Sequence, residues 1–181
     1  MLLRVALVGL VAVASFAVRA EDKPAASQPA KVEAVDYKKL KELMPAEVAG
    51  LKRTDNSGEK NKIGDFQLSQ AKATYTKEAD DAPRVTIEII DYGGAPGMSE
   101  GIAAWTQLEV DRDSDSGHEK TLKIKDKYAA YETFQKDGQS GNLQIYVAKR
   151  YIVTIATSNL PAEQLQKTAE AISLDKLEAL K

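Results

Sequence analysis

Residues 84–92 read RVTIEIIDY, and this run carries the clearest strand signal in the chain. Apolar side chains at positions 85, 87 and 89 alternate with polar side chains at 86 and 88. A period of two is typical of a half-buried strand. Residues 66–77 alternate in the same way, and a short acidic turn separates the two runs. We therefore predict that they form an antiparallel hairpin.

Alternation recurs in the second half of the chain, and the runs lie in hairpin-like groups. They cover residues 121–125, 128–134, 143–147 and 151–155. A further short strand is predicted after Gly50. The polar residues 54–65 that follow it have the composition of a loop.

Three helices complete the predicted fold, at residues 35–43, near 99–110 and from Pro161 onward, where apolar residues recur at helical spacing. The element order is helix, three strands, helix, four strands, helix. Strands that come in groups, rather than alternating singly with helices, favour an antiparallel sheet. We therefore predict the α+β fold class, with an antiparallel sheet of about six to seven strands and flanking helices, including a C-terminal helix.

The first 20 residues show the pattern of a secretory signal peptide. Arg4 precedes an uncharged apolar run at 5–18, and Ala20 offers a cleavage point before Glu21. A retained membrane anchor is the alternative, but the run is shorter than the roughly 20 residues that a spanning helix needs. We expect cleavage after residue 20, a periplasmic or secreted protein, and no stable membrane insertion after that cleavage.

The expected domain organisation has three parts. Residues 1–20 are the signal peptide, and residues 21–34, with two prolines and no apolar periodicity, are a disordered linker. Residues 35–181 then form a single α+β domain of ordinary size.

Composition excludes several classes of protein. The chain has no cysteine, which excludes disulfides, thiolate metal sites and lipid attachment through cysteine. It has one histidine, His118, which excludes a multi-histidine metal centre. The 25 basic residues lose Arg4 and Arg19 with the signal peptide while the 27 acidic residues remain, which leaves a net charge of about −4. Because the basic residues are not clustered in the sequence, nucleic acid is not an expected partner.

An acidic run, DRDSDSG at 111–117, is the strongest candidate for a site. Asp111, Asp113 and Asp115 alternate like the first three ligands of a calcium loop, and Glu119 could act as a nearby ligand. The glycine and the bidentate glutamate of an EF-hand do not fall at the required positions. A solvated acidic loop is therefore the favoured interpretation, and calcium binding is the alternative.

His118 borders this run and is a candidate general base. Asp115 and Glu119 lie near it in the sequence and could orient its ring, but no Gly-x-Ser-x-Gly motif supplies a nucleophile. A surface histidine is the favoured interpretation, so we assign no catalytic residue and no cofactor.

Two stretches resemble uncharacterised exported bacterial proteins. One is MPAEVAGLKR at 44–53, and the other is the C-terminal part, in which YAAY at 128–131 leads to paired strands and to LDKL at 174–177. The layout also resembles the PsbP-like group of α+β modules. This resemblance implies a mostly non-catalytic accessory protein, and it carries over no functional residue.

These observations lead to one expected function and one alternative. We expect an exported, soluble, non-enzymatic module of the bacterial cell envelope that binds a protein partner or a small ligand. The alternative is a periplasmic hydrolase or a calcium-dependent protein that uses the acidic loop 111–119.

Overall fold

The computed structural model describes residues 33–180, except 64, 65, 78, 80, 81, 94 and 95. The predicted signal peptide and linker residues 21–32 lie outside this part, as do Glu78, Asp80 and Asp81 of the predicted acidic turn. Within the described ranges, the structure contains no helix that combines the length and the apolar composition of a membrane span.

Nine strands, four α-helices and one short 3-10 helix make up the described part of the chain. The strands are β1 (Glu47–Val48), β2 (Leu51–Ile63), β3 (Phe66–Thr76), β4 (Arg84–Asp91), β5 (Asp111–Ser114), β6 (Gly117–Ile124), β7 (Tyr128–Gln135), β8 (Ser140–Val147) and β9 (Tyr151–Ser158). The α-helices are α1 (Tyr37–Glu42), α2 (Pro96–Ile102), α3 (Glu163–Ala171) and α4 (Leu174–Ala179), and the 3-10 helix is Ala104–Gln107.

The strands form one antiparallel sheet in the order β1-β2-β3-β4-β9-β8-β7-β6-β5. Two meanders, β1 to β4 and β5 to β9, meet in the middle of the sheet, where β4 pairs with β9. The predicted hairpin of the opening run is confirmed, because β3 and β4 pair antiparallel from Ser69 opposite Asp91 to Thr76 opposite Arg84. The second meander ends at β5, which is therefore an edge strand.

The predicted α+β class with six to seven strands is wrong. Among the described residues the sheet has nine strands, with 50% strand and 22% helix, which is closer to an all-β fold. The difference lies at the edges: residues 54–63 continue β2 instead of forming a loop, and the acidic residues 111–114 form β5. An edge strand keeps charged side chains in water and has a partner on one side only, so it forms without apolar alternation.

The main core lies between one face of the sheet and the helices α1, α3 and α4, and we call this face the helix face. Val85, Ile87 and Ile89 of β4 are completely buried there, which confirms the predicted alternation. The helices α3 and α4 and the residue Ile172 between them cover it, with Leu165, Ala169, Leu174 and Leu177 on the helices. A smaller apolar cluster, separate from the main core, contains Tyr92, Ala103 and Ile152. Burial of the apolar side chains stabilises the sheet against the helices.

Candidate functional site

The helix face changes from apolar to polar as the sheet approaches the β5 edge. One row of directly paired residues runs through Ile87, Ile155, Leu143, Glu132, Lys120 and Asp111. The next row runs through Val85, Thr157, Gly141, Phe134, His118 and Asp113. Directly opposite residues of an antiparallel sheet share a face. The register therefore brings His118 and Lys120 beside Glu132 on the face that α3 covers.

Glu132 is a buried carboxylate with three side-chain partners. Its Oε1 atom lies 2.7 Å from Nε2 of His118 and 3.1 Å from Nζ of Lys120. Its Oε2 atom accepts a hydrogen bond of 2.9 Å from Nε2 of Gln166 in α3. The Glu132 side chain is 1% exposed, whereas those of His118 and Lys120 are 18% and 34% exposed. Because an uncompensated buried charge costs several kcal/mol, these partners are what allows an ionised carboxylate at this position.

The sequence contains a signal for this residue that was not used in the sequence-based prediction. The strand β7 buries every second residue, so Glu132 shares the inward side with Tyr128, Ala130 and Phe134. Charged residues are almost never fully buried unless they are paired. An inward-facing glutamate in an otherwise apolar alternation therefore indicates a polar cluster, although it does not indicate which residues complete it.

Two open cavities meet at His118. The first, which we call the helix cleft, has a volume of about 510 Å³ and lies between the β6–β7 pair and α3, with Glu132, Gln166 and Lys167 among its lining residues. The second, the hairpin groove, has a volume of about 1110 Å³ and is lined by the β5–β6 hairpin and the β7–β8 turn region. His118 lines both cavities, and its imidazole ring stacks on Phe134 with a centroid distance of 5.6 Å.

The predicted acidic loop is a β-hairpin, and it separates the predicted calcium ligands. Asp111 and Asp113 lie in β5, on the face of His118 and Lys120, and Asp115 lies in the turn between β5 and β6. Glu119 lies one residue away from His118 along β6 and therefore on the other face. Within the described ranges, no group of three or more His, Cys, Asp or Glu residues is placed to hold a metal ion.

Glu119 has its own partners on that other face. It accepts a hydrogen bond of 3.0 Å from Nη1 of Arg112 and a second, short one from the hydroxyl of Tyr131. The Tyr131 ring stacks on Trp105 of the 3-10 helix, with ring centroids 5.8 Å apart. Glu119 therefore belongs to a packing contact of the β6–β7 pair with the 3-10 segment, and it does not orient His118.

The carboxylate that orients His118 is Glu132, and neither Asp115 nor Glu119 takes this role. The serines of the hairpin bond locally: the hydroxyls of Ser114 and Ser116 lie 2.9 Å apart, and Ser114 also donates to the carbonyl of Gly117 at 3.0 Å. Among the described residues, none with a hydroxyl group hydrogen-bonds to the imidazole. The arrangement is a carboxylate–histidine pair that opens on two cavities.

Comparisons with protein-family models, curated proteins and solved structures found no match to this chain. The resemblance to exported bacterial proteins and to PsbP-like modules therefore stays a prediction. Function must be argued from the geometry of the Glu132 cluster and the two cavities around it.

Proposed function

We propose that this protein is an exported, non-enzymatic module of the bacterial cell envelope that binds a small ligand in the helix cleft and the hairpin groove. Export and the envelope location rest on the pattern of residues 1–20. Ligand binding rests on one observation: the buried carboxylate of Glu132 is held by His118 and Lys120, which themselves line the cavities.

The position of the cluster favours a binding role over a purely structural one. Ligand sites combine a concave space of a few hundred cubic ångströms with a small number of converging polar groups. The helix cleft has this size and brings Lys120, Glu132 and Gln166 together. A cluster whose only role is to attach α3 to the sheet would have no need of an open cavity on each side of His118.

A thermal-shift screen of small polar metabolites tests the proposal on the protein as the cell exports it. A ligand at 100 times its dissociation constant stabilises the folded state by about 2.7 kcal/mol. That is a rise in melting temperature of several degrees for a domain of this size. We expect at least one metabolite to raise the melting temperature of the natural protein by this amount. A screen in which no metabolite does so would contradict the proposal.

Two matched variants test where the ligand binds. Lys167 and Lys176 are both exposed on helices, but only Lys167 lines the helix cleft. Lys167→Trp fills the cleft from the surface of α3, so we expect it to abolish the shift, while Lys176→Trp keeps it. Equal shifts in both variants would place the ligand outside the helix cleft and overturn its assignment to that cleft.

The His118–Glu132 pair also favours a second candidate function, a periplasmic hydrolase. A carboxylate that orients a histidine is the usual companion of a general base. Ester, phosphate and peptide substrates assayed with the natural protein and with His118→Ala distinguish the two functions. We expect no turnover by either; turnover that His118→Ala abolishes would establish the hydrolase instead.

A further inference from the structure

The hydrogen bond to Glu132 determines which nitrogen of His118 is available to a ligand. An ionised carboxylate only accepts hydrogen bonds, so the 2.7 Å contact requires a proton on Nε2 of His118. In the neutral imidazole the other nitrogen, Nδ1, is then an acceptor. No other described residue lies within hydrogen-bond distance of this ring. His118 therefore carries one acceptor without a described partner, on a residue that lines both cavities.

Two kinds of partner could bind this acceptor: a metal ion, or an N–H or O–H donor of an organic ligand. The residues around His118 distinguish them. Metal ions need several ligands, and carboxylate-oriented histidines bind them together with further His, Cys, Asp or Glu side chains. In the part of the chain that the structure describes, no such group of three exists. The partner that fits Nδ1 of His118 is therefore a hydrogen-bond donor on an organic ligand.

The charge and the apolar surface around His118 indicate which type of hydrogen-bond donor fits Nδ1. Seven acidic and three basic residues line the two cavities, a net charge of −4 with the histidine neutral. Asp113 lies directly across the β5–β6 pair from His118, with its side chain 76% exposed and its Oδ1 atom 3.8 Å from Nζ of Lys136, so the negative charge of the two cavities exceeds the positive charge even with this lysine counted. Phe134 lines the hairpin groove on the opposite side of His118 and is largely buried, so it offers a narrow apolar contact there. A cationic N–H group is favoured in this field, and its carbon chain can pack on the aromatic surface.

We propose that the ligand of this site is a small organic cation, of the alkylammonium type, whose N–H group donates a hydrogen bond to Nδ1 of His118. The acidic residues of the hairpin groove attract the charge, and Phe134 packs against the carbon chain. This inference rests on the proposed binding function and adds the chemical class of the ligand to it.

Calorimetric titration with cadaverine, a diammonium compound, tests the class, and glutarate, a dicarboxylate of the same chain length, is the matched control. We expect saturable binding of cadaverine and none of glutarate. No binding of cadaverine, or equal binding of glutarate, would overturn the inference. If the thermal-shift screen then still finds an anionic or neutral ligand whose shift is abolished in Lys167→Trp, the binding function stands and only the ligand class is wrong.

A variant of His118 and a control variant of a distant acidic residue test the contact between Nδ1 of His118 and the ligand. His118→Phe keeps a ring beside Phe134 but removes the acceptor, so we expect cadaverine to bind at least about tenfold more weakly. Asp126→Asn, which removes one negative charge from the exposed β6–β7 turn, should leave the affinity within about twofold because it lies outside both cavities. An affinity of His118→Phe within about twofold of the natural protein would overturn the assigned contact. An equal loss in Asp126→Asn would show that the effect is not specific to the acceptor, and this would overturn it too.

Nitrogen NMR of the histidine gives a readout that does not depend on affinity. At mildly alkaline pH the natural protein should show the proton on Nε2, and cadaverine should shift the resonance of Nδ1. In Glu132→Gln the amide oxygen that faces Lys120 and His118 still accepts from Nε2, so we expect the proton to stay on Nε2 and the Nδ1 shift with cadaverine to persist. A natural protein with the proton on Nδ1 would contradict the inference directly.

Discussion

The guanidinium group of Arg150 binds the completely buried carboxylate of Asp91 through two hydrogen bonds, from Nε to Oδ1 at 2.6 Å and from Nη2 to Oδ2 at 2.8 Å. The same carboxylate accepts the backbone N–H of Val35 at 2.6 Å and that of Gly93 at 2.7 Å. Arg150 also donates to the carbonyl of Glu33 at 2.7 Å. One ion pair therefore attaches the start of the described chain to the end of β4 and to the β8–β9 turn.

Asp91→Ala should lower the free energy of unfolding by about 3–5 kcal/mol. The substitution leaves Arg150, whose side chain is 14% exposed, without its carboxylate and leaves two backbone N–H groups without their acceptor. Urea denaturation measures the change, with Asp126→Asn as the surface control, which should stay within about 0.5 kcal/mol. A loss below about 1 kcal/mol for Asp91→Ala would mean that the pair contributes little.

The protein should lose stability in alkali as its buried tyrosines ionise. Burial raises the pKa of Tyr75 from 10.0 to about 12 despite nearby Arg53, and burial with the negative charge of Asp91 raises that of Tyr151 to about 12. Because these folded-state values lie above the unfolded value, the stabilisation is complete below about pH 10 and is lost as the pH rises through about 12. Tyrosinate absorbance and circular dichroism should change together between these values. Ionisation complete by pH 10 would contradict this expectation.

Acid should weaken the contact between α4 and the β6–β7 turn. A hydrogen bond of 2.7 Å from the hydroxyl of Tyr128 lowers the pKa of Asp175, and a hydrogen bond from Lys127 lowers the pKa of Glu178. These interactions stabilise the folded state above the ordinary carboxyl pKa of about 4 and are lost as the pH falls through the lower folded values. Carboxyl-carbon NMR titration should show the pKa of Asp175 rise in Tyr128→Phe. An unchanged value would show that the hydroxyl does not interact with this carboxylate in solution.

Gly141→Ala should destabilise the protein by about 1–3 kcal/mol. A Cβ atom at this position would lie 2.6 Å from Cδ1 of Leu165 in α3 and 3.0 Å from Cδ2 of Phe134. Overpacking of this kind forces side chains or backbone to move. Gly97→Ala in α2 is the matched control, since a Cβ atom there meets nothing within 4 Å. Equal effects of the two substitutions on thermal unfolding would mean that α3 accommodates the added methyl group.

Calcium at millimolar concentration should give no saturable heat in a calorimeter. Asp111 and Asp113 lie on one face of the β5–β6 hairpin, whereas Glu119 lies on the other face and binds Arg112. The four predicted ligands therefore do not surround one point, as calcium coordination by six to eight oxygens requires. Asp113→Ala is the control: saturable heat that disappears in this variant would show that the hairpin rearranges around the ion.

The sequence was sufficient for the interior strands and insufficient for the edge strands. The run at 84–92 alternates because β4 has strands on both sides and one face on the core. The strand β2 pairs with β3 from Arg53 to Ile63, although residues 54–63 are mostly polar. The strand β1 pairs only with Leu51 and Lys52, so residues 53–63 have a strand on one side only, and the side chains of residues 53–62 are mostly exposed. Their pairing rests on backbone hydrogen bonds, which the pattern of side chains does not show.

The sequence by itself determined that β4, β7, β8 and β9 are strands, and which side chains of β4, β8 and β9 face inward. It also determined that the one histidine lies next to an acidic run and that no cysteine is present. Alternation is a local property, since each residue's side follows from its neighbours along the same strand.

Only the tertiary structure decided which side chains contact His118. Glu132 is 14 residues away in sequence, and the two side chains lie together because β6 and β7 pair in one register. A shift of that register by one residue would place Glu132 on the opposite face from His118. Gln166 of α3 completes the cluster only because the apolar side of that helix packs on β8 and β9. Cross-strand register and helix packing depend on contacts between distant parts of the chain, which local sequence patterns do not specify.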